Sequence, residues 1–117
     1  MIKKTYKCGL LEYDPIKELA VYNGKIASFK EGDRETIVLE LLIKNKNHKV
    51  GYKKLIKHSI SNPVKLLMLS VAWEKEKHSL RQAIKAIKNK LELPQGMIRN
   101  ISNKSYKMVD KRENTFK

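Results

Sequence analysis

The run HSLRQAIKAIKNKL, residues 78–91, decides how this chain is read. Leu80, Ala83, Ile84, Ile87 and Leu91 recur at steps of three and four, which places them on one face of a helix. The opposite face carries Arg81, Gln82, Lys85, Lys88 and Asn89, with no acid among them. Arg81, Lys85 and Lys88 follow i, i+4, i+7 and line up along the axis. A cationic helix face is as often solvated surface as binding surface, so the stretch alone leaves both readings open. The residues after it favour binding. Pro94 and Gly96 end the helix, and MIRNISNKSYKMV, residues 97–109, reads as two strands, 98–101 and 106–109, around the basic tip SNKS.

Working back from this unit, the spacing predicts three more helical stretches. PVKLLMLSVAWEKEK opens at Pro63, a residue suited to the first turn, and is too densely apolar for a single stripe. It predicts a separate, inserted helix, with His78 and Ser79 capping the next one. GYKKLIKHSI has Tyr52, Leu55, Ile56 and Ile60 on one side and Lys53, Lys54 and Lys57 on the other, and stops near Asn62-Pro63. DRETIVLELLIKNKN predicts the first helix, with Asp33 at its cap and Ile37, Val38, Leu41 and Leu42 inward. From Cys8 to Phe29 the period is that of strands. CGLLEYD, ELAVY and KIASF form three, the last two joined by Asn23-Gly24, whose tolerance of positive φ is the strongest short hairpin signal.

Charge follows the same division. The 117 residues carry a net charge of +14. Residues 1–43 hold seven Lys/Arg and seven Asp/Glu, while residues 44–91 hold thirteen basic residues against two acids. The excess belongs to one part of the chain, as a binding face for a polyanion requires.

Other classes find little support. The longest apolar run, Leu66 to Trp73, is far short of the roughly 20 residues a span needs, and no signal peptide is visible, so a cytoplasmic, nucleoid-associated protein without membrane contact is expected. Cys8 has no second cysteine to pair with. His48, His58 and His78 are spaced too widely for a zinc site, Ser59, Ser61 and Ser79 lack a nucleophile motif, and no glycine loop cradles a nucleotide. Glu12, Asp14 and Glu18 flank a turn, where solvated acids are expected. No enzyme activity, metal or cofactor is expected.

The fold class is therefore α+β: an N-terminal antiparallel sheet over 8–29, three core helices and an inserted apolar helix within about 33–91, and a hairpin wing over 97–109. Together these make a winged helix-turn-helix domain of residues 1–110, followed by a polar tail, 111–117. SLRQAIKAIKNKL with MIRNISNKSYKMV resembles the end of the OmpR/PhoB-type effector domain, a recognition helix closing in LRxKL and a wing with a tyrosine. LAVYNGKIASFKEGDRETIVLELLIKNKNHKVGYKKLIKHSI is similar to that family's sheet and first two helices. The resemblance spans roughly residues 9–109. It places Ser79 where the family often has a phosphate-touching threonine, Leu80, Ile84, Ile87 and Leu91 on buried positions, and Tyr106 on the wing tyrosine. The family's Gly-x-Gly at the wing is replaced by Asn103-Lys104-Ser105, and a stand-alone domain without a receiver domain is expected.

The resemblance implies a stand-alone transcriptional regulator that binds double-stranded DNA. Residues 79–91 would enter the major groove with Arg81, Gln82, Lys85 and Asn89 near base edges, since Arg reads guanine and Gln or Asn reads adenine. Ser79, Lys88, Lys53, Lys54 and Lys57 would meet phosphates, and Lys104 and Lys107 the flanking backbone or minor groove. Two other readings stay open: a winged-helix module that binds RNA polymerase, a second copy or another protein through the Leu66–Trp73 insert, and an architectural nucleic-acid-binding protein without sequence choice.

Overall fold

The computed structural model describes residues 5–59, 71–94 and 96–109. Four strands open the chain: β1 (Tyr6–Cys8), β2 (Leu11–Asp14), β3 (Leu19–Tyr22) and β4 (Lys25–Ser28), paired in that order and all antiparallel. The sequence led to three strands because CGLLEYD reads as continuous. Gly9 instead takes a φ of +62°, turning the chain so that Cys8 pairs with Leu11 and leaving Leu10 outside at 54% exposure. The Asn-Gly hairpin is as expected: Asn23 and Gly24 both have positive φ and Tyr22 pairs with Lys25.

Three helices follow among the described residues: α1 (Arg34–Lys44), α2 (Tyr52–Ser59) and α3 (Trp73–Leu91). Asp33 is the residue before α1, as expected, but its side chain makes no capping hydrogen bond. The buried face of α1 is rotated from the expected one: Thr36, Val38, Leu39, Leu42 and Ile43 are buried, whereas Ile37 and Leu41 are only partly so. The rotation follows from packing on two sides, because α1 touches β1 and the wing as well as α2 and α3. In α2 the expected Tyr52, Leu55 and Ile56 are buried. Ile60 and most of the expected inserted helix, with the tail 111–117, lie outside the described residues.

The last helix starts earlier than its sequence suggested. It begins at Trp73, so WEKEK belongs to it and His78-Ser79 is not its cap. A half-buried ion pair holds this added part: Arg34 Nη2 donates to Glu76 Oε1 at 2.9 Å, tying the starts of α1 and α3 together. At the other end Glu92 adopts the left-handed conformation, φ +52°, and stops the helix.

A third difference concerns the wing. A strand that the sequence reading did not include, β5 (Lys49–Gly51), pairs with β7 (Ser105–Met108), itself paired with β6 (Ile98–Ile101). The wing is thus a three-stranded sheet in the order β5-β7-β6, with β7 beginning one residue earlier than expected. The helices lie between the two sheets, α3 against β3 and β4 and α1 against β1 and β7. One core joins all of it, from Cys8, Leu11 and Tyr13 through Leu39, Leu55, Leu80, Ile87 and Leu91 to Ile98 and Met108.

Tyr13 gives this core a measurable pH dependence. Burial pushes its hydroxyl up to about 12, helped by the nearby carboxylates of Glu40, Glu18 and Glu31 and by Tyr6, while an unfolded tyrosine titrates near 10. A raised folded-state value means stability fully present below pH 10 and lost as pH rises through about 12. Urea unfolding at pH 9 and pH 11 should show a loss of roughly 1 kcal/mol from this residue, absent in Tyr13→Phe. An equal loss in both proteins would place the effect elsewhere.

Candidate nucleic-acid interface

Burial on α3 divides its residues as the helical spacing requires. Leu80, Ala83, Ile84, Ile87 and Leu91 face the core. Arg81, Gln82, Lys85 and Asn89 are exposed, and Lys88 and Ser79 are half-buried. Ser79 therefore stands within the helix, not at its N-terminal end where a cap would offer backbone N–H groups.

The cations of α3 fall into two sets. Lys90 Nζ lies 2.7 Å from Glu35 Oε1 and 4.9 Å from the centre of the Phe29 ring, and Lys77 Nζ lies 2.8 Å from Glu74 Oε2 and 5.9 Å from the Trp73 ring. Lys90 ties the helix to α1 and Phe29, whereas the contacts of Lys77 lie within α3 itself. Arg81, Lys85 and Lys88 have no acid partner among the described residues. The Glu35, Glu76 and Glu92 carboxylates are taken by Lys90, Arg34 and Lys25, which leaves the 81, 85, 88 line as uncompensated positive charge.

Helix α2 repeats the arrangement on a smaller scale. Lys53, Lys54 and Lys57 are exposed, as is His58, and with Gly51 they line an open depression of about 490 Å³. The three lysines give this depression a positive rim.

A cluster of side chains fixes α2 and the wing relative to one another. The Tyr52 ring stacks on Tyr106, centroids 5.2 Å apart, and Asn100 Nδ2 donates to Tyr52 Oη. Asn100 Oδ1 also accepts the Asn103 N–H at 2.9 Å, and the Lys104 carbonyl accepts the Tyr52 N–H at 2.9 Å. The Tyr106 hydroxyl is raised by burial first, then by Tyr52, and is opposed by the Asn100 hydrogen bond and the positive charge of Arg81. Arg81 of α3 therefore stands close to the wing. At the tip, Ser102 and Asn103 take φ values of +54° and +57°, so a turn closes without the glycines usual at such positions, and Lys104 is exposed beyond it. Lys107 is half-buried on the strand behind.

The expected residues are thus gathered on three elements, of which α2 and the wing are locked by this cluster and α3 packs against α2. Others were not foreseen. Lys75 is exposed on an earlier turn of α3, and Lys49 and Arg99 on β5 and β6. The signal that would have found Lys49 and Arg99 is the strand pairing, not the local sequence. Among the described residues no group of His, Cys, Asp and Glu is arranged to hold a metal, and no helix is long and apolar enough to cross a membrane.

Among the described residues a sheet, three helices and a C-terminal hairpin follow in this order, which makes a winged helix, and the fold is that of OmpR/PhoB-type effector domains. The chain superposes over 92% of its length on the response regulator DrrB of Thermotoga maritima, an OmpR/PhoB homolog, with a TM-score of 0.67 and 21% identity. It superposes over the same share on the DNA-binding domain of CpxR from E. coli, with a TM-score of 0.65 and 17% identity. It spans 45% of the DrrB chain and 98% of the CpxR domain. No protein-family model and no curated protein sequence matches the chain.

Proposed function

We propose that the protein is a double-stranded DNA-binding transcriptional regulator that reads sequence with α3. The observation that carries this reading is the Arg81, Lys85, Lys88 line, exposed at the first two and half-buried at the third, without acid partners among the described residues, on a helix set between α2 and a basic wing. The similarity in fold to a DNA-binding domain supports it. Arg81, Gln82, Lys85 and Asn89 reach base edges in the major groove, where Arg matches guanine and Gln or Asn matches adenine. Lys88, Ser79, Lys53, Lys54 and Lys57 contact phosphates, and Lys104 and Lys107 meet the flanking backbone or minor groove.

Selection of preferred duplexes from a random pool should return a defined site. On that site, Arg81→Ala is expected to cost about 1–3 kcal/mol and to relax preference at one base pair, while Lys88→Ala weakens all sequences about equally. A pool that returns no enriched site would favour an architectural protein without sequence choice. Undiminished binding in Arg81→Ala and Lys85→Ala would favour a protein partner.

A further inference from the structure

The strand register of the wing brings together three cations that lie far apart in the chain. Lys49 of β5 is paired with Lys107 of β7, and Lys107 with Arg99 of β6. Residues paired in this way point to the same face of a sheet, and neighbouring strands are about 4.8 Å apart. Lys49, Lys107 and Arg99 therefore form one row about 10 Å long across the whole wing. Their neighbours Val50, Tyr106, Met108 and Ile98 are buried in the core, so the row is on the outer face. Like charges side by side oppose sheet formation. No acid among the described residues offsets them, and the Arg99 side chain is steadied by its Nε donating to the Gly96 carbonyl at 2.9 Å.

We infer that this row is a second contact to the DNA backbone, with Lys49, Lys107 and Arg99 holding phosphates of the duplex that runs past the wing. Rising about 3.4 Å per phosphate along its axis, one strand of B-form DNA offers about three phosphates over a 10 Å row. The row is two residues up each strand from the level of Gly51, Ser105 and Ile101, where the tip turn begins, which is about 7 Å. A duplex held at the tip by Lys104 passes within reach of it. This inference rests on the proposed docking of α3, and it extends the footprint on the wing side with a contact that does not read sequence.

The test uses two duplexes built around the selected site, one ending at the wing and one running a full helical turn past it. Binding of the intact protein and of the Lys49→Gln/Arg99→Gln variant is measured by fluorescence anisotropy across a salt series. On the long duplex the variant's plot of log K against log salt should be shallower by about 2 and its affinity lower by roughly tenfold, whereas the short duplex should not distinguish the two proteins. The free variant should also melt higher than its parent at low salt, the gap closing at high salt as repulsion in the row is screened. Equal slopes on the long duplex would overturn the inference, as would an equal loss on both lengths or a loss confined to capture of a second, separately labelled duplex. Failure of the parent to bind either duplex would overturn the docking of α3 itself, a different result from a parent that binds and a variant that matches it.

Discussion

Raising monovalent salt from about 50 to about 200 mM is expected to weaken the hold on duplex DNA by two to four orders of magnitude. The expectation comes from counting contacts. Lys53, Lys54, Lys57, Lys88 and Lys104 are exposed or half-exposed and, with Arg81 and Lys85, have no acid partner among the described residues. If roughly five to eight phosphates are neutralised, log K falls with log salt at a slope of about −4 to −7. Lys90 and Lys77 are left out because their charges are already engaged with Glu35 and Glu74. Removing either should change the slope little, whereas Lys85→Ala or Lys57→Ala should each reduce it by about 1. An affinity indifferent to salt would contradict the proposed interface.

The second large effect is on the fold. Leu80→Ala is expected to destabilise the protein by about 2–5 kcal/mol, because Leu80 is fully buried and its loss leaves a cavity. Against a total of about 5–15 kcal/mol for a protein of this size, that moves the melting point by roughly 10–20 °C. Lys85→Ala, on the exposed face of the same helix, should change stability by no more than about 0.5 kcal/mol. Thermal denaturation of the two variants checks the orientation of α3 without any DNA present. Comparable losses would mean that Lys85 is packed and the helix is rotated from its described position.

Both effects depend on features of α3 that its sequence displays. The steps from Leu80 to Leu91 mark its buried face, and a helical period is a local property. The Asn23-Gly24 turn is legible for the same reason, since the preference for positive φ belongs to those two residues. Other features come from partners distant in the chain. β5 is three residues long, and what makes it a strand is β7, more than fifty residues later. The start of α3 at Trp73 is secured by Arg34 reaching Glu76 from another helix, while Ser79 looked locally like a better cap. The rotated face of α1 has the same origin, as Leu39 and Ile43 are buried by elements on both sides.

For the interface, the residues on α2 and α3 were legible because exposure follows period. What places them together was not. The Tyr52–Tyr106 stack and the hydrogen bond from Asn100 to Tyr52 join α2 to the wing through residues 48 or more positions apart, and no local pattern announces them. The cation row of Lys49, Lys107 and Arg99 was hidden along with β5, because each of its members looks like an isolated surface charge until the register is known.

Titration of isotope-labelled protein with the selected duplex, followed by backbone amide shifts, tests the central claim most directly. The largest changes are expected at Arg81 to Asn89, at Lys53 to Lys57 and around Lys104, with the strands from Leu11 to Ser28 little affected. Changes centred on those N-terminal strands, with α3 unmoved, would contradict the account.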